Sequence, residues 1–282
     1  RELKDSKRVE RSIGTLGGGN HFIEVDVDEN NHSYLVIHTG SRNLGKQVAQ
    51  YYQNLAYDLM AGKDELLLKQ EQLISDYKKQ GRKDELQEAI KELRKNFIAK
   101  EVQLPKELCY LSGKYRDQYL HDMAICQEYA TLNRQMIAKI ILKQLLDMSL
   151  EEFDYFETIH NYIDHDENIM RKGAVSAKLN EKILIPINMR DGSLICLGKG
   201  NEEWNQSAPH GAGRLYSRQK AKELFSLNEF EDQMQGIYST SINQHTLDEC
   251  PMAYKSMDDI VNNIGETATI IQVIKPIYNF KA

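Results

Sequence analysis

Eight histidines are scattered through the 282 residues, and three of them share a setting. His21 follows the run Gly-Gly-Gly-Asn. His38 closes the apolar run Tyr34–Ile37 and precedes Thr-Gly-Ser-Arg. His160 closes the segment Tyr155–Ile159 and precedes Asn161. Each lies where an apolar segment meets a polar loop, the place where open α/β sheets present their ligands. Imidazole is the commonest metal-binding side chain, and three histidines from separate strand ends can hold an ion at about 2.0–2.2 Å. Hydrogen-bonded structural histidines fit the same spacing, because these three are not i, i+4 ligands of one helix. Ligand type alone favours zinc over manganese.

A fourth histidine stands apart. In SAPHGAGRLYSR, Ser207 to Arg218, His210 lies between a proline and two glycines, with Arg214 and Arg218 following. Glycines leave the ring sterically open. The spacing predicts a helix from about Arg214 to Leu224 that starts near Gly213, with Arg214 and Arg218 on one face. Its N-terminal N–H groups and two planar guanidinium groups would then bind phosphate. An imidazole nitrogen beside a bound triphosphate is a candidate nucleophile at phosphorus, and metal ions or arginines would neutralise the attacked phosphate. Arg42, four residues after His38, is a further phosphate candidate. The glycine run GTLGGGNHF lets backbone approach a ligand, but it lacks the G-x-x-x-x-G-K-[ST] spacing of a P-loop.

Elements must bring these residues together. Phe22–Val27 and Tyr34–Ile37 read as strands around a turn at Asn30–Asn31. Residues 45–60 read as a helix. The Lys-, Glu- and Leu-rich stretch of about 62–101 reads as an αα-hairpin broken at Gly81, with Leu86, Ile90, Leu93 and Phe97 on one helix face. A helix is expected from Tyr115 to Met148. Strands follow at EKILIPINM and SLICLGK, then a helix near Met257–Asn263 and a last strand at TATIIQVIKPIYNF. This predicts a mixed α+β fold of central β-sheets flanked by helices, with three parts: a sheet portion over 1–54, a helical region over 55–150, and an α/β remainder over 151–282 that carries His210.

Composition sets bounds. Hydrophobic residues make up 41% and charged residues 28%, ordinary for a globular chain that buries a sizeable core. No apolar run reaches the roughly 18 residues of a membrane span, so no membrane association is expected. Four scattered cysteines without a C-x-x-C pair suggest a reducing cytoplasm. A net charge of −6 argues against a general nucleic-acid coat but leaves room for a local phosphate site. The chain does not begin with Met, and an upstream part of the natural protein is expected.

Taken in order, GTLGGGNHFIEV, HTGSRNLG, HNYI, KGNEEWNQSAPHGAGRLYSR and AYKSMDDIV, ending in KPIYNFKA, resemble the RtcB family of GTP-dependent RNA ligases. The resemblance covers the chain from about Gly14 onward, apart from the charged hairpin, which would be an insertion in an RtcB-like fold. It implies joining of an RNA 3'-phosphate or 2',3'-cyclic phosphate to a 5'-hydroxyl, in RNA repair or tRNA splicing, through GMP carried on a histidine. His210 matches that histidine. His21, His38 and His160 match ligands of a site that holds manganese, two ions in the family. Asn20, Phe22, Glu24, His160 and Asn161 match nucleotide-contacting positions, as do Pro186, Met189 and the segment Gly211, Ala212 and Gly213. Ser193, Tyr254 and Lys281 match residues around the guanosine, and Arg42, Arg214 and Arg218 match phosphate positions. The implied partners are GTP and an RNA strand lying in a cleft over the site, with the protein a monomer.

Two departures accompany the match. Where the family has P-G-S-M, this chain has Pro186, Ile187, Asn188 and Met189, and Ile187 is expected to restrict backbone access. The family's metal site also uses an aspartate and a bridging cysteine before the first glycine motif, and neither Cys109 nor Cys126 follows such a motif. These ligands are expected upstream. Without them the alternatives are a metal-dependent cyclic phosphodiesterase or phosphoesterase, or an RNA-binding remnant that has lost catalysis.

Overall fold

The structure, a computed structural model, describes residues 3–281. In chain order the elements are α1 (Ser6–Arg11), β1 (Phe22–Val27), β2 (Ser33–His38), α2 (Arg42–Met60), α3 (Lys63–Lys79), α4 (Leu86–Lys95), α5 (Gly113–Leu146), β3 (His160–Asp164), β4 (Ile169–Ser176), β5 (Lys182–Asn188), β6 (Gly192–Gly198), β7 (Ser207–Pro209), α6 (Arg218–Leu224), α7 (Leu227–Gln233), β8 (Tyr238–Ser239), α8 (Met257–Asn263) and β9 (Ala268–Lys281). The chain forms two compact units. One is built on Asn43–Met123, the other on Asp5–Arg42 and the chain from Ala124 onward. None of the described helices is long and apolar enough to cross a membrane.

The first unit is helical. The Tyr52 ring lies tilted against that of Tyr119, with ring centres 5.1 Å apart, and its hydroxyl donates to Asp122 at 2.8 Å, which ties α2 to the start of α5. After Gly81, which takes φ +76°, the chain doubles back. Arg94 of α4 donates to Gln70 of α3 at 3.1 Å, and the Lys100 amide reaches the Ala61 carbonyl at 2.9 Å. α4 ends at Lys95, so Phe97 lies beyond the helix that Leu86, Ile90 and Leu93 share.

The second unit holds two antiparallel sheets. The larger runs β2-β1-β9-β6-β5, with β8 added in parallel to β9. The smaller is β3-β4-β7. Alternation along β1 and β5 buries every second residue, as expected for strands packed on one face. Val175, Ile183, Ile185, Leu194 and Cys196 form the main core with Ala208 and Ile264. Phe230, Met234, Met189 and Leu247 form a second cluster.

Several expected boundaries move. α2 starts at Arg42 rather than Gly45. α6 starts at Arg218, because Ser217 caps it by accepting the Lys220 amide at 3.2 Å. Arg214 and Leu215 instead run extended beside Ala253–Lys255: the Leu215 amide donates to Ala253 at 2.8 Å and the Lys255 amide to Gly213 at 3.1 Å. Arg214 and Arg218 therefore do not share a helix face, and His210 follows a strand rather than opening a helix. His160 opens β3 instead of closing a strand. The residues before it are held by side chains: Glu157 takes Arg134 and Thr131, and Thr158 accepts the Leu184 amide.

Candidate functional site

The two sheets deliver their histidines at strand ends. In the larger sheet, Phe22 of β1 is in register with His38 of β2 on one side and with Lys281 of β9 on the other. His21 lies one residue before Phe22. In the smaller sheet, His160 pairs with Val175 of β4 while Ala174 pairs with Pro209 of β7, the residue before His210. Chain segments far apart in sequence thus converge. The ring centres of His21 and His38 are 6.1 Å apart, those of His38 and His160 5.2 Å, and those of His160 and His210 4.8 Å.

Beside His38 and His210 lies a cleft of about 190 Å³. Asn20, Phe22, Glu24, His38, Pro186, Met189, His210, Gly211, Ala212, Gly213, Arg214, Arg218, Tyr254 and Lys281 line it, together with Ile187, Asn188 and Glu249. Its wall is tight where two loops meet. The Ala212 amide donates to the Pro186 carbonyl at 3.2 Å, and a Cβ on Gly211 would sit 2.9 Å from that oxygen. The bulk of Ile187, 3% exposed, is taken up by the main core, which relieves the restriction expected of it.

Five expected residues do not line the cleft wall alongside these. His21 and His160 belong to the histidine row. Ser193 is fully buried in β6, its hydroxyl without a hydrogen-bond partner. The side chain of Asn161 accepts the Gly173 amide at 2.8 Å and so fixes the glycine that faces the His210 ring. Arg42, also outside the wall, tucks its guanidinium against Gly17, where a Cβ would lie 1.4 Å from Nη1, and its Nε donates to Thr15 at 3.2 Å.

The electrostatics favour neutral imidazoles. Burial pushes His38 down to about 3, and positive charge at His160, His21, Lys281 and His210 adds to the shift. Burial also lowers His21, with Arg42 adding to it, and lowers His160, with His210 adding to it. His38 Nε2 and His160 Nε2 stand 3.2 Å apart. The Nδ1 atoms of His21 and His160 are buried without a hydrogen-bond partner. In the tautomers protonated at Nδ1, the Nε2 lone pairs of His38 and His160 converge on one point, which suits a cation. Two ligands of one tetrahedral ion at about 2.1 Å would lie roughly 3.4 Å apart, so the His38–His160 pair fits such an ion. Among the described residues no group of three or more His, Cys, Asp or Glu side chains is arranged to hold a metal. The fit therefore rests on that pair, with His21 beside it.

Two features were not read from the sequence. Glu249, its side chain 2% exposed, gathers the cations of the cleft. It pairs with Arg214 at 3.4 Å, with Arg218 and with Lys281, and accepts from Tyr254 at 2.5 Å. Asp248 takes Arg218 at 2.6 Å and Lys222 at 3.2 Å. Burial alone would raise the Glu249 carboxyl, but Lys281, Tyr254 and Arg218 outweigh it and hold the group below its usual range. Arg214 and Arg218, two of the three expected phosphate arginines, are thus oriented by carboxylates. The second feature is Asn133 of α5, fully buried. Its Oδ1 accepts the Gly14 and Thr15 amides at 2.8 and 3.2 Å, while Nδ2 donates to the Thr15 and Gly40 carbonyls at 3.1 and 3.3 Å. One side chain so clasps the loop before His21 to the loop after His38. In sequence both features are ordinary residues, of a Leu-Asp-Glu turn and of a long helix, and no local pattern singles them out.

A cleft lined by Arg214, Arg218, Lys281 and glycine backbone, with an imidazole at its edge, has the chemistry to accept a phosphate ester. The chain matches, over residues 1–282, the family described as tRNA-splicing ligase RtcB, and it belongs to that family. It is 30% identical over 287 residues to the RNA-splicing ligase RtcB of Escherichia coli (strain K12), covering 95% of this chain and 60% of that protein. It is 27% identical to the tRNA-splicing ligase RtcB of Nanoarchaeum equitans, covering 90% and 56%, and 28% identical to that of Aeropyrum pernix, covering 92% and 58%. The chain therefore spans 56–60% of the length of these relatives.

Proposed function

We propose that this chain carries the nucleotide-transfer site of an RNA ligase that joins an RNA 3'-phosphate or 2',3'-cyclic phosphate end to a 5'-hydroxyl end. The nucleotide is GTP. A ring nitrogen of His210 attacks the α-phosphorus and pyrophosphate leaves, which places GMP on the histidine. The RNA 3'-phosphate then takes the GMP from His210, and the 5'-hydroxyl displaces GMP as the new phosphodiester forms; a cyclic phosphate is first opened by water. The observation that supports this reading best is the position of His210, its ring 4.8 Å from His160 at the edge of the cleft.

The other residues have matching tasks. Gly211–Gly213 offer bare backbone next to the nucleophile. Arg214 and Arg218 face the phosphates, and Glu24, Tyr254 and Lys281 surround the nucleoside. His21, His38 and His160 would hold manganese, which supplies Lewis-acid neutralisation of phosphate charge when bound. The charged helices α3 and α4 are read as an insertion in the family fold.

The test is label transfer. The protein incubated with GTP labelled in its α-phosphate and Mn²⁺ is expected to acquire an acid-labile covalent guanylate. The His210→Asn variant should acquire none. Absence of label on the unsubstituted protein overturns the reading, as does label that survives His210→Asn.

A further inference from the structure

Arg171 is the third residue of β4, the middle strand of the smaller sheet, and its side chain is 1% exposed. The guanidinium reaches both outer strands. Toward β3, Nη1 donates to the Tyr162 hydroxyl at 3.1 Å and to Asp164 Oδ2 at 3.2 Å. Toward β7, Nε donates to Ser207 Oγ at 2.9 Å and Nη2 to the Asn205 carbonyl at 3.2 Å. Nη2 also stands 3.5 Å from Glu167 Oε2, and Lys178 meets Glu167 at 3.0 Å and Asp164 at 3.6 Å. His160 lies two residues before Tyr162, and His210 three residues after Ser207. One buried side chain thus ties the strand that begins at His160 to the strand that ends just before His210.

The backbone ladder is short here. β7 pairs with β4 over Ala174–Ser176, and β3 pairs with it at Val175 and then again from Arg171 to Ile169, on the far side of a bulge. β7 is entered through Asn205 and Gln206, with φ +48° and +47°. Residues with side chains rarely adopt this left-handed backbone, and it persists where surrounding contacts hold it. Arg171 supplies one such contact at the Asn205 carbonyl, and Ser207 Oγ, donating to the same oxygen at 2.9 Å, supplies another. On the β3 side, Asn161 takes φ +56° and accepts the Gly173 amide at 2.8 Å, which sets Gly173 against the His210 ring. A buried guanidinium is costly to desolvate, and an apolar side chain of similar volume often serves stability as well. What the planar fork adds is a fixed separation between the groups it bridges.

We propose that Arg171 is a positioning residue for the nucleophile: bound to β3 on one side and to the entry of β7 on the other, it sets the spacing and tilt of the His160 and His210 rings, 4.8 Å between centres and 35° between planes. The inference rests on the reading of His210 as the nucleophile. Arg171 lies outside the cleft lining and acts through the strands rather than on the nucleotide. A misplacement of about 1 Å at a reacting group can cost about 100-fold in rate.

The experiment compares Arg171→Lys, Tyr162→Phe, Ser207→Ala and the Tyr162→Phe/Ser207→Ala double variant, each in the whole protein. Lysine keeps the charge but loses the fork. The other two substitutions each remove a single hydroxyl, at opposite ends of the strut. Single-turnover label transfer from GTP should fall by at least about tenfold in Arg171→Lys, with equilibrium GTP binding within about twofold of the parent. Tyr162→Phe and Ser207→Ala should each lower the rate severalfold, and the double variant should be little slower than the slower single one, because both act through Arg171. Histidine ring NMR spectra read the geometry without nucleotide. The His210 Cε1–H signal, assigned by its loss in His210→Asn, should move in Arg171→Lys while those of the exposed His32 and His121 stay. Label transfer at the parent rate in Arg171→Lys overturns the proposal, as does a His210 signal that does not move. GTP binding that falls in step with the rate shows support of the fold alone and overturns it too, as do Tyr162→Phe and Ser207→Ala losses that simply multiply. Absence of label on the unsubstituted protein overturns the nucleophile reading instead, and the ring spacing is then still decided by the NMR signal.

Discussion

His38 Nε2 and His160 Nε2 stand 3.2 Å apart although 122 residues separate them in sequence. The contact joins the end of β2 in one sheet to the start of β3 in the other. Both rings are held toward the neutral form by burial; one Nε2 can then donate its N–H to the other, and in the tautomers that carry the proton on Nδ1 both Nε2 lone pairs are open to one ion. If the two nitrogens grip one ion, the loss of either should act as the loss of both. His38→Ala and His160→Ala are each expected to weaken Mn²⁺ binding by more than about 100-fold, beyond the 10–100-fold typical of an outer-shell change. The double variant should be little worse than either single one. Mn²⁺ titration followed by electron paramagnetic resonance checks this, and independent, additive losses would contradict a shared ion.

What was legible before the structure follows a physical line. β1, β5, β6, β9 and α8 stood out because long alternating or 3.6-periodic runs express burial on one face. The four histidines stood out by type and by their place at segment ends, and the larger sheet does carry His38 and Phe22 in one row with Lys281. The smaller sheet did not stand out. β3 has only five residues, its pairing with β4 is broken by a bulge between His160 and Tyr162, and Arg171, almost fully buried among Tyr162, Asp164 and Ser207, reads in sequence as a surface residue. The start of α6 was misplaced because the arginine spacing in GRLYSR fits a helix, while the pairing of Arg214 with Tyr254 is a long-range event that no local pattern reports. Glu249 and Asn133 act through partners distant in the chain, which composition and periodicity do not encode.

Glu249 is expected to separate binding from chemistry. It fixes Arg214, Arg218 and Lys281 around the cleft and also neutralises part of their charge. Glu249→Gln keeps an acceptor but removes the charge. At low salt the affinity for GTP should rise severalfold as the cleft becomes more positive, while guanylylation falls by at least about tenfold because the cations lose their common anchor. Breaking a buried pair in this way also costs roughly 3 kcal/mol of stability. Equilibrium GTP binding beside single-turnover label transfer distinguishes the two effects; a parallel fall in both would show that the carboxylate only supports the fold.

Asn133 is expected to matter through two loops it never leaves. Asn133→Ala strands the Gly14 and Thr15 amides, which it caps at 2.8 and 3.2 Å, and releases the Gly40 carbonyl. Unsatisfied buried groups cost about 1–3 kcal/mol each, so a loss of roughly 3 kcal/mol in unfolding free energy is expected. Because the clasped loops carry His21 and His38, Mn²⁺ affinity should fall together with amide protection at Gly14–Thr15, measured by hydrogen exchange. Asn133→Asp, which keeps the acceptor for the two amides, should restore most of the protection. If the alanine variant keeps native exchange rates in that loop, the clasp is not what positions the histidines.

Asp26 sets a pH dependence of stability with a sign opposite to that of the paired carboxylates. In the unfolded chain an aspartate ionises near pH 4; in the folded protein burial holds Asp26 to about 7. Between these values the folded state keeps a proton that the unfolded state has released, so stability falls as pH rises from about 4 to about 7 and levels off above. Asp248, raised by burial but lowered more by Arg218 and Lys222, behaves the other way: its contribution is full above the ordinary carboxylate range and is lost as pH falls below it. His38, lowered to about 3, likewise loses stability as pH falls from about 6.5. Comparing the protein with Asp26→Asn cancels these other groups and leaves the Asp26 contribution alone. The variant should match the parent at pH 4.5 and exceed it by about 2–4 kcal/mol at pH 8, read from urea midpoints at constant slope. Equal midpoints at pH 8 would mean that Asp26 ionises at no cost where it lies, and that the interior behind Glu24 is wetter than its burial implies.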